Sequence, residues 1–315
     1  MGTFKLYTLG CGSAKPTPRH YTSCSVLNHR ETLYMIDCGE GAQVAFMKAR
    51  LKPTRLRHIF LTHLHGDHIL GLPGLLMTYN LSQIGGTLTI HTFADGERIM
   101  REILKALGCE LKFNIEFNII KPEDKVILET SSLTVRTVAL DHRVPCVGYI
   151  FEEKPGQRHI IREMVDYHQV PVSRMKEITN GADYITPEGK VIPNAMLTRD
   201  ADPAPSYAHI GDTRYMEGIA EKIGPVDLLY HETTYLEEHR ADARDRYHST
   251  ARQAAMVARD AGAGTLLTGH YSSRYKDETL IKTEAETIFR PVILNDEGLI
   301  TDIGRLCRER RKSQK

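Results

Sequence analysis

Leu61-Thr62-His63-Leu64-His65-Gly66-Asp67-His68 closes an apolar β-type run, His58–Thr62, with three imidazoles and one carboxylate inside six residues. Imidazoles two residues apart on a turn, such as His63 and His65, can converge on one cation. Asp67 and His68, a step further round, can face a second. Gly66 lets the chain turn tightly between the two pairs. Nitrogen and oxygen donors in this mixture suit zinc, or another borderline divalent ion such as manganese. A plain polar surface loop is the competing reading, and a poor one for a stretch so dense in ligand types.

Two ions need more than four ligands, so others are expected at equivalent strand ends. Leu133–Leu140 is followed by Asp141-His142, Tyr207–Ile210 by Gly211-Asp212, and Thr265–Thr268 by Gly269-His270. Singly, His142, Asp212 and His270 read as capping or surface residues. Each follows a β-type run, however, and loops at strand ends are where active sites assemble.

Working outward, Phe4–Leu9, Thr32–Ile36, Thr87–Thr92, Gly148–Glu153 and Asp227–Tyr230 also read as strands. Glu97–Leu107 reads as a helix stopping at Gly108, Thr213–Ile223 as a second, and a third is expected from an N-cap at Ser249 to Gly262. The class is α/β. Residues 1–315 read as one domain, interrupted by an irregular, proline-rich insertion over 154–205. So long an irregular stretch is usually functional. It contains a short amphipathic helix, Ile160–Tyr167, but has too few regular apolar positions for an independent domain. Lying between His142 and Asp212, it is expected to be anchored near the active edge.

The chain carries 41 Lys+Arg against 40 Asp+Glu, so a net charge of +1 provides no whole-molecule attraction to a polyanion. Phosphates would have to be held locally, and Lys48, Arg50, Lys52, Arg55 and Arg57 form a run of cations without an acid. Arg158, Arg162, Arg174 and Lys176 are the placed cations of the insertion. The six cysteines form no C-x-x-C pair, and neither a leader segment nor a membrane-spanning run is visible. A cytoplasmic protein with reduced thiols is expected.

The H-x-H-x-D-H motif, the later His142, Asp212 and His270 in that order, and the opening Gly10-Cys-Gly-Ser13 resemble the metallo-β-lactamase superfamily. Within it the chain resembles the ribonuclease Z family, which processes the 3′ ends of precursor tRNA. The narrower elements are Asp37-Cys-Gly-Glu40-Gly-Ala-Gln43, Gly211-Asp-Thr-Arg214, His231-Glu-Thr-Thr234 and Tyr247-His-Ser-Thr250. Thr233 stands where the family usually has Ala. The resemblance implies a four-layer αβ/βα sandwich of two mixed sheets with an inserted, tRNA-binding arm. It implies two Zn²⁺ per chain, or Mn²⁺ or another divalent ion. One ion would lie among His63, His65, His142 and Asp212, the other among Asp67, His68, His270 and the bridging Asp212. It further implies His248 as general acid oriented by Glu232, Asp67 as proton acceptor for the attacking water, and a homodimer in which one subunit's arm holds RNA for the other. No organic cofactor and no membrane partner are expected. The implied reaction is endonucleolytic hydrolysis just 3′ of the discriminator nucleotide, leaving a 3′-hydroxyl on the tRNA. Within the superfamily the competing activity is hydrolysis of small phosphodiesters or sulfate esters.

Overall fold

The computed structural model describes residues 2–82 and 84–313. The chain begins with β1 (Phe4–Gly10), β2 (Cys24–His29), β3 (Thr32–Ile36), β4 (Leu56–Phe60), β5 (Thr87–Thr92) and β6 (Asn114–Ile119). It continues with β7 (Lys125–Glu129), β8 (Leu133–Ala139) and β9 (Val147–Glu153). The short strands β10 (His159–Ile160), β11 (Tyr184–Ile185), β12 (Val191–Ile192) and β13 (Thr198–Arg199) belong to the insertion. Strands β14 (Ser206–Ile210), β15 (Leu228–Glu232), β16 (Leu266–Gly269), β17 (Val292–Ile293) and β18 (Ile300–Asp302) complete the chain.

Two seven-stranded sheets result, ordered β18-β1-β2-β3-β4-β5-β6 and β17-β16-β15-β14-β9-β8-β7. Each is antiparallel in one half and parallel in the other. Strand alternation sorts the apolar residues onto two faces. Along β3, Tyr34 and Ile36 point between the sheets, while Leu33 and Met35 point to the helices outside. Tyr149 and Phe151 of β9 face the same inner layer, and Ile150 faces outward. Helices Ala42–Lys48, Leu72–Leu81 and Ala94–Ala106 cover the first sheet; Ile219–Ile223 and Ala251–Asp260 cover the second. This is the four-layer αβ/βα sandwich expected from the sequence. Among the described residues no helix is long and apolar enough to cross a membrane.

Three expectations need correction. The helix expected over Thr213–Ile223 forms only over Ile219–Ile223, after Gly218 at φ 79°. Residues before it are held by long-range partners instead: the Arg214 guanidinium pairs with Asp141 and lies 3.9 Å from the Tyr247 ring centroid. The later helix is capped by Thr250, not Ser249. Thr250 accepts from the Gln253 N–H in a capping box, and Ser249 Oγ donates to the Thr213 carbonyl. The third concerns the insertion. It leaves the second sheet at Glu153 and returns at Ser206, paired across the β9–β14 end remote from His142 and Asp212. Its base therefore lies at the opposite edge from the histidine cluster, a seven-residue strand away, roughly 20 Å. There Glu153 accepts from His29 and Arg30. The insertion is also better ordered than its composition suggests. Val165, Val170, Ile178, Tyr184, Ile192 and Leu197 form its own small core. The expected Ile160–Tyr167 helix begins at Arg162.

Candidate metal centre

Parallel strands of a mixed sheet end together, and their following loops share one rim. β4 delivers His63–His68, β8 delivers His142, β14 delivers Asp212, β15 ends in His231-Glu232, and β16 delivers His270. The backbone at Asp37, Tyr247 and His270 is left-handed, with φ of 57°, 63° and 59°.

His63 Nε2 and His142 Nε2 lie 3.0 and 3.1 Å from His65 Nδ1, and Asp212 Oδ2 is 3.7 Å from the first and 3.9 Å from the second. Beside them, Asp67 Oδ2 lies 3.7 Å from His68 Nε2 and 3.4 Å from His270 Nε2. Asp212 reaches both groups: its Oδ2 is 3.6 Å from His68 Nε2, and its Oδ1 is 3.3 Å from His270 Nε2. Among the described residues His63, His65, His142 and Asp212 lie close enough together to hold one ion, as do Asp67, His68 and His270, and also Asp212, His248 and His270.

The surroundings fix which ring nitrogens face inward. His68 Nδ1 donates to Asp37 Oδ2 at 2.8 Å, and Thr62 also donates to Asp37 while receiving the Nδ1 proton of His63. His142 Nδ1 donates to the Tyr247 carbonyl, and His270 Nδ1 to Thr234 Oγ1. In these four rings the outer nitrogen is thus occupied and the Nε2 lone pair is aimed at the rim, as ligating histidines require, whereas His65 turns its Nδ1 to the cluster. His68 Nε2, His270 Nε2 and Asp212 Oδ1 are buried without any hydrogen-bond partner. Buried polar atoms left this way are costly, and a shared pair of cations satisfies them. The donor set and the orphaned atoms therefore fit two divalent ions. Burial, followed by the neighbouring His68, depresses the His63 pKa, leaving a neutral ligand. Burial opposes a charge on His68, but Asp37 and Asp212 outweigh it and raise its pKa. A cation at this position would displace that proton.

His248 lies against the same rim. Its Nδ1 donates to Glu232 Oε1 at 3.0 Å. Glu232 is fully buried and also accepts from the N–H groups of Thr213, Thr234 and Ser249. Burial disfavours the imidazolium, yet the Glu232 carboxylate outweighs it and lifts the His248 pKa to about 9. An imidazolium at a partly open site is a ready proton donor.

A cleft of about 1020 Å³ opens over these groups, lined also by Lys15, Arg143 and Arg246. Those three cations escape a reading based on charge runs, because they come from separate loops. Asp37 escapes it too: its role rests on contact with His68, distant in sequence. Of the cationic run, Lys48 lies over the Tyr21 ring, Arg50, Lys52 and Arg57 are exposed, and Arg55 pairs with Glu31, which lines the pocket at the insertion's base. The run does not line the cleft over the two clusters. Within the insertion Arg158, Arg162 and Arg174 pair with Asp200, Asp166 and Glu177, and Lys176 is exposed.

A family model described as the anti-Pycsar protein Apyc1 matches residues 4–159. The ribonuclease Z of Parabacteroides distasonis is 48% identical over 300 residues, covering 95% of this chain and 99% of the relative. That of Bacteroides fragilis is 46% identical over the same shares. In three dimensions the short form of human tRNase Z superposes with a TM-score of 0.69 at 24% identity, covering 95% of this chain and 99% of the other.

Proposed function

The chain belongs to the ribonuclease Z family, an enzyme of endonucleolytic tRNA 3′ processing on the metallo-β-lactamase fold, and from that premise we propose how its residues do the work. The relatives favour tRNA processing over the small-ester activity of the wider superfamily as the main reaction. The observation that carries the reading is Asp212, whose two oxygens reach both donor sets beneath one cleft.

His63, His65, His142 and Asp212 would hold one Zn²⁺, and Asp67, His68 and His270 with Asp212 the second, with Mn²⁺ an acceptable substitute in such donors. When bound, the two ions supply a water acidified toward neutrality and a clamp on the scissile phosphate. The Asp67 carboxylate, its Oδ2 fixed by the Ala14 N–H at 2.7 Å, would orient that water and relay its proton. His248 donates a proton to the departing O3′ of the trailer, and Glu232 keeps the ring charged and aimed. The cut falls 3′ of the discriminator nucleotide and leaves a 3′-hydroxyl on the tRNA. Lys15, Arg143 and Arg246 contact the flanking phosphates.

The insertion, residues 154–205, is the tRNA-binding arm. Its base at the remote edge supports a homodimer in which the arm of one subunit serves the cleft of its partner. Exposed Tyr167 and the paired, outward Ile185 and Val191 offer apolar contacts beside Arg158, Arg162, Arg174 and Lys176. The protein works in the cytoplasm. Metal analysis combined with cleavage of a precursor tRNA transcript tests the whole reading. Two zinc ions per chain that are lost from the Asp212→Ala variant, with a single cut after the discriminator, support it; cleavage by the metal-stripped protein overturns it.

A further inference from the structure

Away from the histidine rim, the loop after β1 brings a second kind of donor set together. Cys11 Sγ lies 3.3 Å from His20 Nδ1 and 3.8 Å from Glu297 Oε1, and His20 Nδ1 is 3.3 Å from that same oxygen. A tetrahedral ion bonded at about 2.0–2.3 Å to nitrogen, oxygen and sulfur spaces its donors by roughly 3.3–3.6 Å. The observed triangle has nearly those edges. His20 carries the outer-shell partner that a ligating imidazole needs, since its Nε2 lies 3.4 Å from Glu278 Oε1. Glu278 is buried and is itself paired with Arg19. Cys11 is 1% exposed, and the His20 and Glu297 side chains 11% and 20%, which leaves an approach from one side. Without a cation, burial together with Glu297, Asp296 and Glu278 raises the Cys11 pKa, and the Glu297 contact raises that of His20.

We propose that Cys11, His20 and Glu297 form a third metal site for zinc or a similar borderline divalent ion. It closes the loop from Cys11 to His20 onto the segment preceding β18. That loop also carries Ala14, whose N–H fixes Asp67. Three protein ligands leave the fourth position to water.

The test uses the full chain purified from zinc-containing medium. The intact protein should carry one more zinc per chain than either the Cys11→Ser or the Glu297→Gln variant. Equal counts in the three proteins overturn the proposal. Loading the intact protein with Co²⁺ adds a readout independent of how the variants fold. A thiolate ligand gives a near-ultraviolet sulfur-to-cobalt charge-transfer band, and the histidine–aspartate rim contains no sulfur. The band should be present in the intact protein and absent from Cys11→Ser. Its absence from the intact protein, or its survival in that variant, overturns the site. Neither readout depends on whether the rim holds two ions or on RNA cleavage, so failure here leaves the proposed function standing.

Discussion

The histidine rim and the arm lie on opposite edges of one sheet and are built by opposite means. At the rim almost every polar atom is buried and directed by a second atom behind it: Asp37 behind His68, Tyr247 behind His142, Thr234 behind His270. In the arm a core of six buried apolar residues holds together a unit whose outer surface is exposed and partly apolar. Tyr167 and Val172 there are 77% and 86% exposed. The rim holds its side chains in one geometry, and the arm, on the reading proposed above, offers its exposed surface to the tRNA. Chemistry and substrate capture should therefore separate under mutation.

The strongest way to break that separation is at Asp212. Asp212→Ala removes the one ligand shared by both donor sets and should lower precursor cleavage beyond the roughly 10⁴-fold reach of a single acid–base group. Metal content, measured on the same sample, should fall for both sites while tRNA binding by gel shift persists. His248→Ala should keep its metals and slow cleavage by about 10²–10⁴-fold. The loss should shrink on a nitrophenyl phosphodiester, whose leaving group needs no proton. Equal losses on both substrates would assign His248 to positioning.

Next in size is the arm. Replacing residues 158–195 by a short Gly-Ser linker should raise the Kd for precursor tRNA at least tenfold, about 1.4 kcal/mol. Hydrolysis of the nitrophenyl ester should be unchanged. Mixing this truncated chain with Asp212→Ala chains sharpens the point. Recovery of precursor cleavage in the mixture means that an arm serves the partner's cleft. No recovery restricts each arm to its own subunit. The smallest effect expected is at the cap beneath the rim, where Thr250→Ala should cost about 1 kcal/mol of stability. A lowered Tm with unaltered tRNA affinity is the expected pair of results.

The clustering of the rim's donor residues was legible in the sequence because they sit where strands end. His63–His68 is dense enough to be noticed alone, and His142, Asp212 and His270 each follow a β-type run. The position of the arm was not legible. Lying between two ligands in sequence does not say which end of the sheet a segment leaves from, and β9 carries the chain back across the full width before the arm begins. The β2 strand Cys24–His29 was invisible for a related reason. All six of its residues are buried, so it shows no alternation of polar and apolar positions. Likewise Thr213 to Gly218 has a helical composition overridden by Asp141, Glu232 and Tyr247, none of them near in sequence.

The left-handed backbone at Asp37, Tyr247 and His270 has a consequence for anyone trying to make this protein more robust. An L-residue in that conformation gives up about 1–2 kcal/mol relative to its ordinary regions, and glycine gives up little of it. Glycine at these three positions would relieve that backbone cost, but at Asp37 and His270 it would also empty a buried site and leave Thr62, His68 and Thr234 without their partners. Each such exchange removes a group that holds or orients the rim: the acid behind His68, the ring against which Arg214 stacks, or His270 itself. Relief of the backbone and retention of the site therefore pull against each other at three named residues, and a library meant to improve robustness should leave those codons fixed.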